Sequence, residues 1–591
     1  MKKKTIIILS ISILTVLIIF IGSSYALFSK TQSALNKNEY QTGVLQIEYS
    51  SDSTLTINPI PMTDANGEAL TPYIFTITNT GTLDYQYDLK LLTDSTYVAS
   101  HGCANNQTPA QYIKVKLDDS EPVLLSNLTS GTIISDETLA AGKSKTYNLR
   151  MWLDISSPNS IIGSHFHGKI VSEGEAIYTE LNKPNAPVLA SGMIPIKYDG
   201  TKWVKAESTN TNDDWYNYDN KMWANAVMVT SETRDTYMNA RTGTTISEED
   251  ILAYYVWIPR YKYQLFNVDS TTMDPIEIQI KFEEGIPNKS SGTANGEWLT
   301  HPAFTLGTDE LEGIWVGKFS TTGSAETPTS KPNLLPLTNQ NVSTQFTTSQ
   351  IFGTTTYLTS TGVSEVDAHM MKNIEWGAVA YLKQSKYGLG TTDIGLNNYI
   401  DETDLNNGGT NYLKTGCGST SGSSFSTTCN AYNTTNGMLA STTGNITGIY
   451  DMSAAMGTYV MGVMQDNTGT NTPMSGSSSS YNSGFTGKIY DSGNFTQYSG
   501  VAFPNSKYYD LYAYGGTSYT YDTRRILGDA TGEVNGWYGD IAHFVYSDYP
   551  WFVRGRSGGG GPSRAGVFTF DGFYGSPNPN FAFRSVLAPG A

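Results

Sequence analysis

Three stretches near the N-terminal side of the chain alternate apolar and polar residues with period two. Tyr73, Phe75 and Ile77 alternate with Ile74, Thr76 and Thr78 before the turn Asn79-Thr80-Gly81. Tyr85, Tyr87, Leu89 and Leu91 alternate with Gln86, Asp88 and Lys90, and Tyr147, Leu149, Met151 and Leu153 with Asn148, Arg150 and Trp152. This is the pattern of half-buried antiparallel strands, and several of them with turns between predict a β-sandwich over 27–180. Beyond Pro184, Pro187 and Pro195, which predict an extended linker over 181–196, the chain is rich in Trp and Tyr. There the spacing predicts a helix capped at Ser364–Asp367, running through Val366, Met370, Ile374, Ala378 and Leu382 and stopped by Gly388. A second helix is expected from Ser247 through Ile251 to Tyr255. Segments 320–360 and 405–445, rich in Ser, Thr, Asn and Gly, are expected as long surface loops.

At the start, Lys2, Lys3 and Lys4 precede an apolar run from Thr5 to Gly22, followed by Ser24-Tyr25-Ala26. A basic end, an apolar stretch and a small-x-small site make an export signal over 1–26. Cleavage after Ala26 and retention as a membrane anchor are both open at this length. Either way the remainder is expected outside the cell. Export favours a loop-closing disulfide between Cys417 and Cys429, leaving Cys103, beside His101, as a lone thiol.

A chain of 591 residues is too long for one core. Its net charge of −17 argues against nucleic acid as a partner, because phosphate binding needs a basic surface. Charged residues at 15% give way to Gly, Tyr, Ser, Thr and Asn, which suits short strands and ordered loops.

The pieces SYALFSK, YIFTITNTGTLDYQYDL and AAGKSKTYNLRMWLD resemble camelysin-like and biofilm-fibre proteins secreted by Gram-positive bacteria. Members of that family named as metalloproteases need a zinc site. Here no H-E-x-x-H occurs, and His165 and His167, two apart, are expected on opposite strand faces. The first body is therefore expected to be a stalk or assembly module.

Downstream, six segments stand in order: YVWIPRYKYQLF (255–266), GIWVGKFS (313–320), MKNIEWGAVAYL (371–382), GNITGIYDMSAAMGTYVMG (444–462), PWFVRGRSGGGG (550–561) and FAFRSVL (581–587). This set resembles the formylglycine-generating-enzyme family, a variant of the C-type lectin fold. The resemblance implies an α+β body over 197–591 with its ligand face near the C-terminus. The family's enzymes use a cysteine pair within the segment corresponding to Arg554–Arg584, and no cysteine follows Cys429. Its Gly-Asn-x-x-Glu after Tyr-Asp-Met is also missing, and His301, His369 and His543 stand apart in sequence. No catalytic residue, cofactor or metal is expected; structural calcium is compatible with the family but not indicated.

The tail from Gly555 resembles the variable region of proteins diversified by retroelements, which use this lectin-like fold. Mutating adenines in Asn-type codons never yields Lys, Glu, Gln, Met or Trp. Those types supply 90 of 591 residues, yet none of the last 37. Trp551, Arg554, Gly555, Ala565, Gly566, Phe568, Phe570, Gly575, Phe583 and Arg584 match the family framework. Between them stand Arg556, Ser557, Ser563, Arg564, Thr569, Asp571, Phe573, Tyr574, Ser576, Asn578 and Asn580, expected as an exposed variable face within 554–584. Arg554 and Arg584 are expected to hold the fold. Asp529, Glu533 and Asp540 are their candidate partners, or otherwise solvated loop acids.

The expectation is thus a surface protein whose β-sandwich presents a lectin-like domain to variable protein or glycan ligands on another cell, a phage or a host. The competing readings are a fibre subunit that polymerises through sheet edges of 27–180, and an enzyme of the parent family.

Overall fold

The structure, a computed structural model, describes residues 26–30, 47–51, 58–81, 84–100, 105–177, 183–359, 366–397, 413–419, 428–454, 456–515, 524–556 and 565–590. Residues 1–25 of the expected export signal, His101, Cys103, Ser557, Ser563 and Arg564 lie outside them. The fold is β-rich with few helices, 38% strand against 15% helix. The chain divides into two compact units, Met1–Leu181 and Asn182–Ala591.

The first unit packs two sheets on one core. One sheet runs Ala26–Lys30, Gly168–Ile177, Asp84–Thr93, Thr132–Leu139. The other runs Ile47–Ser51, Tyr73–Asn79, Ser144–Asp154, Ile113–Leu117, Val123–Leu124, with Asn58–Met62 beside Ser144–Asp154. The period-two residues form the core: Tyr73, Phe75, Ile77, Tyr85, Tyr87, Leu89, Leu91, Tyr147, Leu149, Met151 and Leu153 are all buried. Register places Phe75 opposite Tyr147, and the Tyr87 and Tyr147 hydroxyls bond at 2.5 Å across the core. Trp152, expected on the polar face, is buried as well. The short helix Asp64–Glu68 covers it, and Gly67 sits where any Cβ would come within 2.2 Å of the indole. The rings of His165 and His167 stack at 5.9 Å instead of facing apart, because residues two apart in extended chain share a side.

In the second unit a seven-stranded sheet runs Trp203–Lys205, Ile194–Tyr198, Asn225–Val229, Ile251–Pro259, Gly313–Gly317, Ser585–Pro589, Val366–Met370. Three of the six sequence segments thus become neighbouring strands. A second sheet runs Asp510–Tyr512, Gly457–Met464, Trp551–Arg556, Ala565–Phe573, with Phe581–Ala582 against Gly457–Met464. Aromatic and aliphatic side chains from both sheets and from helix Asn373–Lys383 share one large core.

Four expectations are corrected here. The helix begins at Asn373, not near Ser364: Val366–Met370 is an edge strand, with Ala368 opposite Leu587 and Met370 opposite Ser585. Glu375 caps the helix by accepting the Lys372 N–H at 2.8 Å, and Asp510 accepts that of Ile374 at 2.8 Å. Ile251–Tyr255 belongs to the central strand Ile251–Pro259, where β-branched and aromatic residues pack on both faces. Segment 320–360 is not all surface loop, since Val342–Gln350 is a helix capped by the Asn341 side chain, burying Val342, Gln345 and Phe346. Nor is 181–196 a free tether: the Asn185 amide donates to the Gly285 and Glu312 carbonyls at 2.9 Å, and the Trp257 indole donates to the Asn185 carbonyl at 3.1 Å. The prolines there fix an extended course along the second unit. Within the stretch expected as the second loop, Cys417 and Cys429 form the disulfide, Cα atoms 4.9 Å apart.

Candidate functional site

The C-terminal hairpin pairs Trp551 with Phe573, Val553 with Asp571 and Arg554 with Phe570, then shifts register to pair Arg556 with Ala565. The shift falls at Gly555, whose φ of 77° is left-handed and whose Cα faces the Met452 carbonyl and the Trp376 ring. Two buried arginines fasten the hairpin and the segment that follows it. Arg554 donates to the carbonyls of Thr569, Asp529 and Ala530 and to the Asn373 amide oxygen at 2.8–3.0 Å. Arg584 donates to the carbonyls of Gly317 and Tyr450. Burial lowers both guanidiniums to about 10. Their structural role is as expected, and carbonyls do most of the accepting.

Asp529 and Glu533 are buried and Asp540 is half-buried, so the reading as solvated loop acids is corrected. Asp529 accepts from Thr531, Ile526 and the Tyr512 hydroxyl. Glu533 accepts from the Gly528 N–H at 2.7 Å and from the hydroxyls of Tyr381 and Tyr263. Asp540 accepts from the Phe568 N–H at 2.9 Å, so close that a Cβ on Gly566 would meet it at 1.8 Å. Burial pushes Glu533 up to about 7; burial and then Asp393 push Asp540 up to about 8. Asp451 has a left-handed φ of 62°. Its carboxylate ties three loops by accepting from Ser320 N, Gly416 N and the Asn397 amide.

The three histidines are separate features. His301 is buried against the Gly528 carbonyl at 2.9 Å, and burial lowers it to about 3. His369 is buried too, but Glu375 at 2.9 Å and Asp367 at 3.0 Å overcome that burial and raise it to about 9. His543 lies beside Asp571 at 3.3 Å. Among the described residues no three His, Cys, Asp or Glu side chains are placed to share a metal ion.

Framework residues Trp551, Arg554, Phe568, Phe570, Phe583 and Arg584 are buried. Of the residues expected on the variable face, Arg556, Asp571, Phe573, Tyr574, Asn578 and Asn580 are partly exposed. Thr569 and Ser576 are not: both are buried, and their carbonyls accept from Arg554 and the Tyr459 hydroxyl. Their side chains belong to the framework: Thr569 lies in the stretch of Ala565–Phe573 that is buried on both faces, and Ser576 follows the end of the strand. Phe573 packs on Phe581 at 4.7 Å. Tyr574 meets Tyr481 and Tyr549, both at 4.8 Å. Asn578 accepts from Asn580 N at 2.8 Å and, through its carbonyl, from Asn339 N. Sequence reasoning missed Tyr481, Tyr546, Tyr549 and His543, which come to the face from other segments. Tyr481 lies in a low-complexity serine run, which masks its role; the spacing Tyr546-Ser547-Asp548-Tyr549 was the available signal.

No family model matches the chain, and no curated protein matches it. Among solved structures it is similar to the ASH/PapD-like domain of human CEP192 (PapD-like domain 7). Identity is 14% over 25% of this chain and 96% of that one, with a TM-score of 0.10, a likeness too low to carry argument.

Proposed function

We propose that the chain is an exported surface protein whose second unit is a C-type-lectin-like ligand-binding domain, its C-terminal face diversified by a retroelement to bind variable protein or glycan ligands. One observation carries the reading. Along the final hairpin and the following turn, buried aromatic and arginine residues hold the backbone, while Arg556, Asp571, Phe573, Tyr574, Asn578 and Asn580 reach the surface. Such a face tolerates substitution where its outward residues are not needed by the core, which sets apart Phe573, packed on the buried Phe581. Its Tyr, Ser, Gly and Asn content is that of paratopes, where rigid aromatics give area and small polar residues adapt. The first unit, a sandwich, serves as the stalk.

The test exchanges the tail. Two full-length chains differing at Arg556, Ser557, Ser563, Arg564, Asp571 and Tyr574 are compared on one panel of surface proteins and glycans. The expected result is a changed set of bound partners, with stability altered by no more than about 1 kcal/mol per exchanged residue. If both chains bind the same set with equal affinity, the reading fails.

A further inference from the structure

We infer that the ligand face extends beyond the C-terminal tail onto Tyr481, Tyr546 and Tyr549, which with Tyr574 form an aromatic platform for a lysine- or arginine-bearing protein segment. The inference rests on the reading of the hairpin as a ligand face and names its partner.

Four tyrosines converge there from three separate stretches. The ring of Tyr574 lies 4.8 Å from that of Tyr481 at 30° and 4.8 Å from that of Tyr549 at 50°. Tyr546 stands edge-on to Tyr549 at 5.1 Å. The Tyr574 hydroxyl donates to that of Tyr549 at 3.3 Å. Tyr481 is 53% exposed, although a ring of this size is usually covered. It is not loose: its N–H donates to the Ser478 carbonyl at 3.2 Å, its carbonyl accepts from Ser477 N, and Asn482 donates to the Ser479 carbonyl at 2.8 Å. A ring held outward on a bonded turn is already ordered before binding, which lowers the entropic cost of a contact.

Charge selects the partner. The stretches supplying the platform, 477–482, 543–549 and 571–580, contain Asp548, Asp571 and His543, and no Lys, Arg or Glu. Asp571 is fixed by the Gly572 N–H at 2.9 Å and faces His543. Ring faces attract cations through their quadrupole, and neighbouring carboxylates add to that attraction. Phosphate, sulfate or sialic acid finds no Lys or Arg on these three stretches, and the one histidine there already faces Asp571. The whole chain, at −17, also steers basic partners inward.

The experiment selects random displayed heptapeptides on the immobilised full chain, then measures the winners against Tyr481→Ala and Tyr481→Phe. Lys and Arg are expected to be enriched over the input. Tyr481→Ala, at an exposed position, should leave the circular dichroism unchanged and weaken the winning peptides roughly 3- to 30-fold. Tyr481→Phe should retain most of the affinity, because it keeps the ring face. Winners rich in acidic or aliphatic residues, affinities indifferent to Tyr481→Ala, or capture of neutral oligosaccharides instead of peptides would each overturn the inference. Exchange of Arg556, Asp571 and Tyr574 separates the two claims. If that exchange abolishes binding while winners lack Lys and Arg, only the partner assignment falls. If neither the exchange nor Tyr481→Ala matters, the ligand-face reading falls with it.

Discussion

Replacing Phe568 by Ala should unfold the second unit far more easily than replacing Tyr574 by Ser, six residues further along the same tail. Phe568 is 1% exposed. Its ring meets Trp537 edge-on at 5.2 Å and Tyr538 in a stack at 6.1 Å, and Lys383 lies over it at 5.7 Å. Deleting a fully buried phenyl costs about 3–5 kcal/mol, the transfer term plus the cavity left behind. Collapse is resisted here because the Phe568 N–H is fixed on Asp540 and the next residue's carbonyl on Arg554. Tyr574 is partly exposed, and its ring meets those of Tyr481, Tyr549 and Phe573, none of which is buried. Its loss should cost about 1 kcal/mol, the scale of aromatic pairs. Guanidinium unfolding followed by tryptophan fluorescence reads both, with Trp537 reporting beside Phe568. A loss for Phe568→Ala under about 1 kcal/mol, or equal losses for the two variants, would refute the division of the tail into framework and face.

The buried carboxyls give a pH dependence of definite sign. Glu533 at about 7 and Asp540 at about 8 keep their protons when folded, whereas unfolded carboxyls lose them near pH 4. Between those limits the folded state binds more protons, so these groups make stability fall as pH rises from about 5 to 8. Urea unfolding at four pH values should show that fall, and Glu533→Gln should flatten it; a slope unchanged by the substitution would contradict the assignment. Reducing the Cys417–Cys429 bond, which spans 12 residues, should cost about 2–3 kcal/mol, read as a lowered unfolding midpoint in reductant. Limited proteolysis should give a resistant C-terminal fragment beginning between 178 and 185. A fragment beginning at Met193 would mean that the Asn185 contacts do not hold the segment.

The first unit was legible because its strands are half-buried: period two records the burial directly, and each inward position of the three stretches reached the core, while Ile74 on the other face stays exposed. Trp152 escaped because a five-residue helix covers it, which no local pattern announces. In the second unit, strands buried on both faces lose their alternation. Hence Ile251–Tyr255 reads as readily for a helix as for the strand it forms, and Val366 and Met370 fall at helical spacing by coincidence on an edge strand. The helix Val342–Gln350 was hidden by its Ser and Thr content, which propensity disfavours and tertiary packing overrides. At the site, the arginine anchors and the partly exposed positions followed from the tail itself. Thr569 and Ser576 did not: alternation groups Thr569 with the partly exposed Asp571 and Phe573, but at Thr569 the strand is covered on both faces, and Ser576 lies beyond the strand, where no period applies. Tyr481 and Tyr549 are brought to Tyr574 only by the fold.

Resequencing codons 551–591 from many cells of one population tests the central claim most directly. Substitutions should concentrate at the codons for Arg556, Ser557, Ser563, Arg564, Asp571, Phe573, Tyr574, Asn578 and Asn580. They should spare the codons for Trp551, Arg554, Phe568, Phe570, Phe583 and Arg584, whose side chains are buried or bind the backbone. A uniform tail, or substitutions spread evenly over framework and face, would contradict a diversified ligand face.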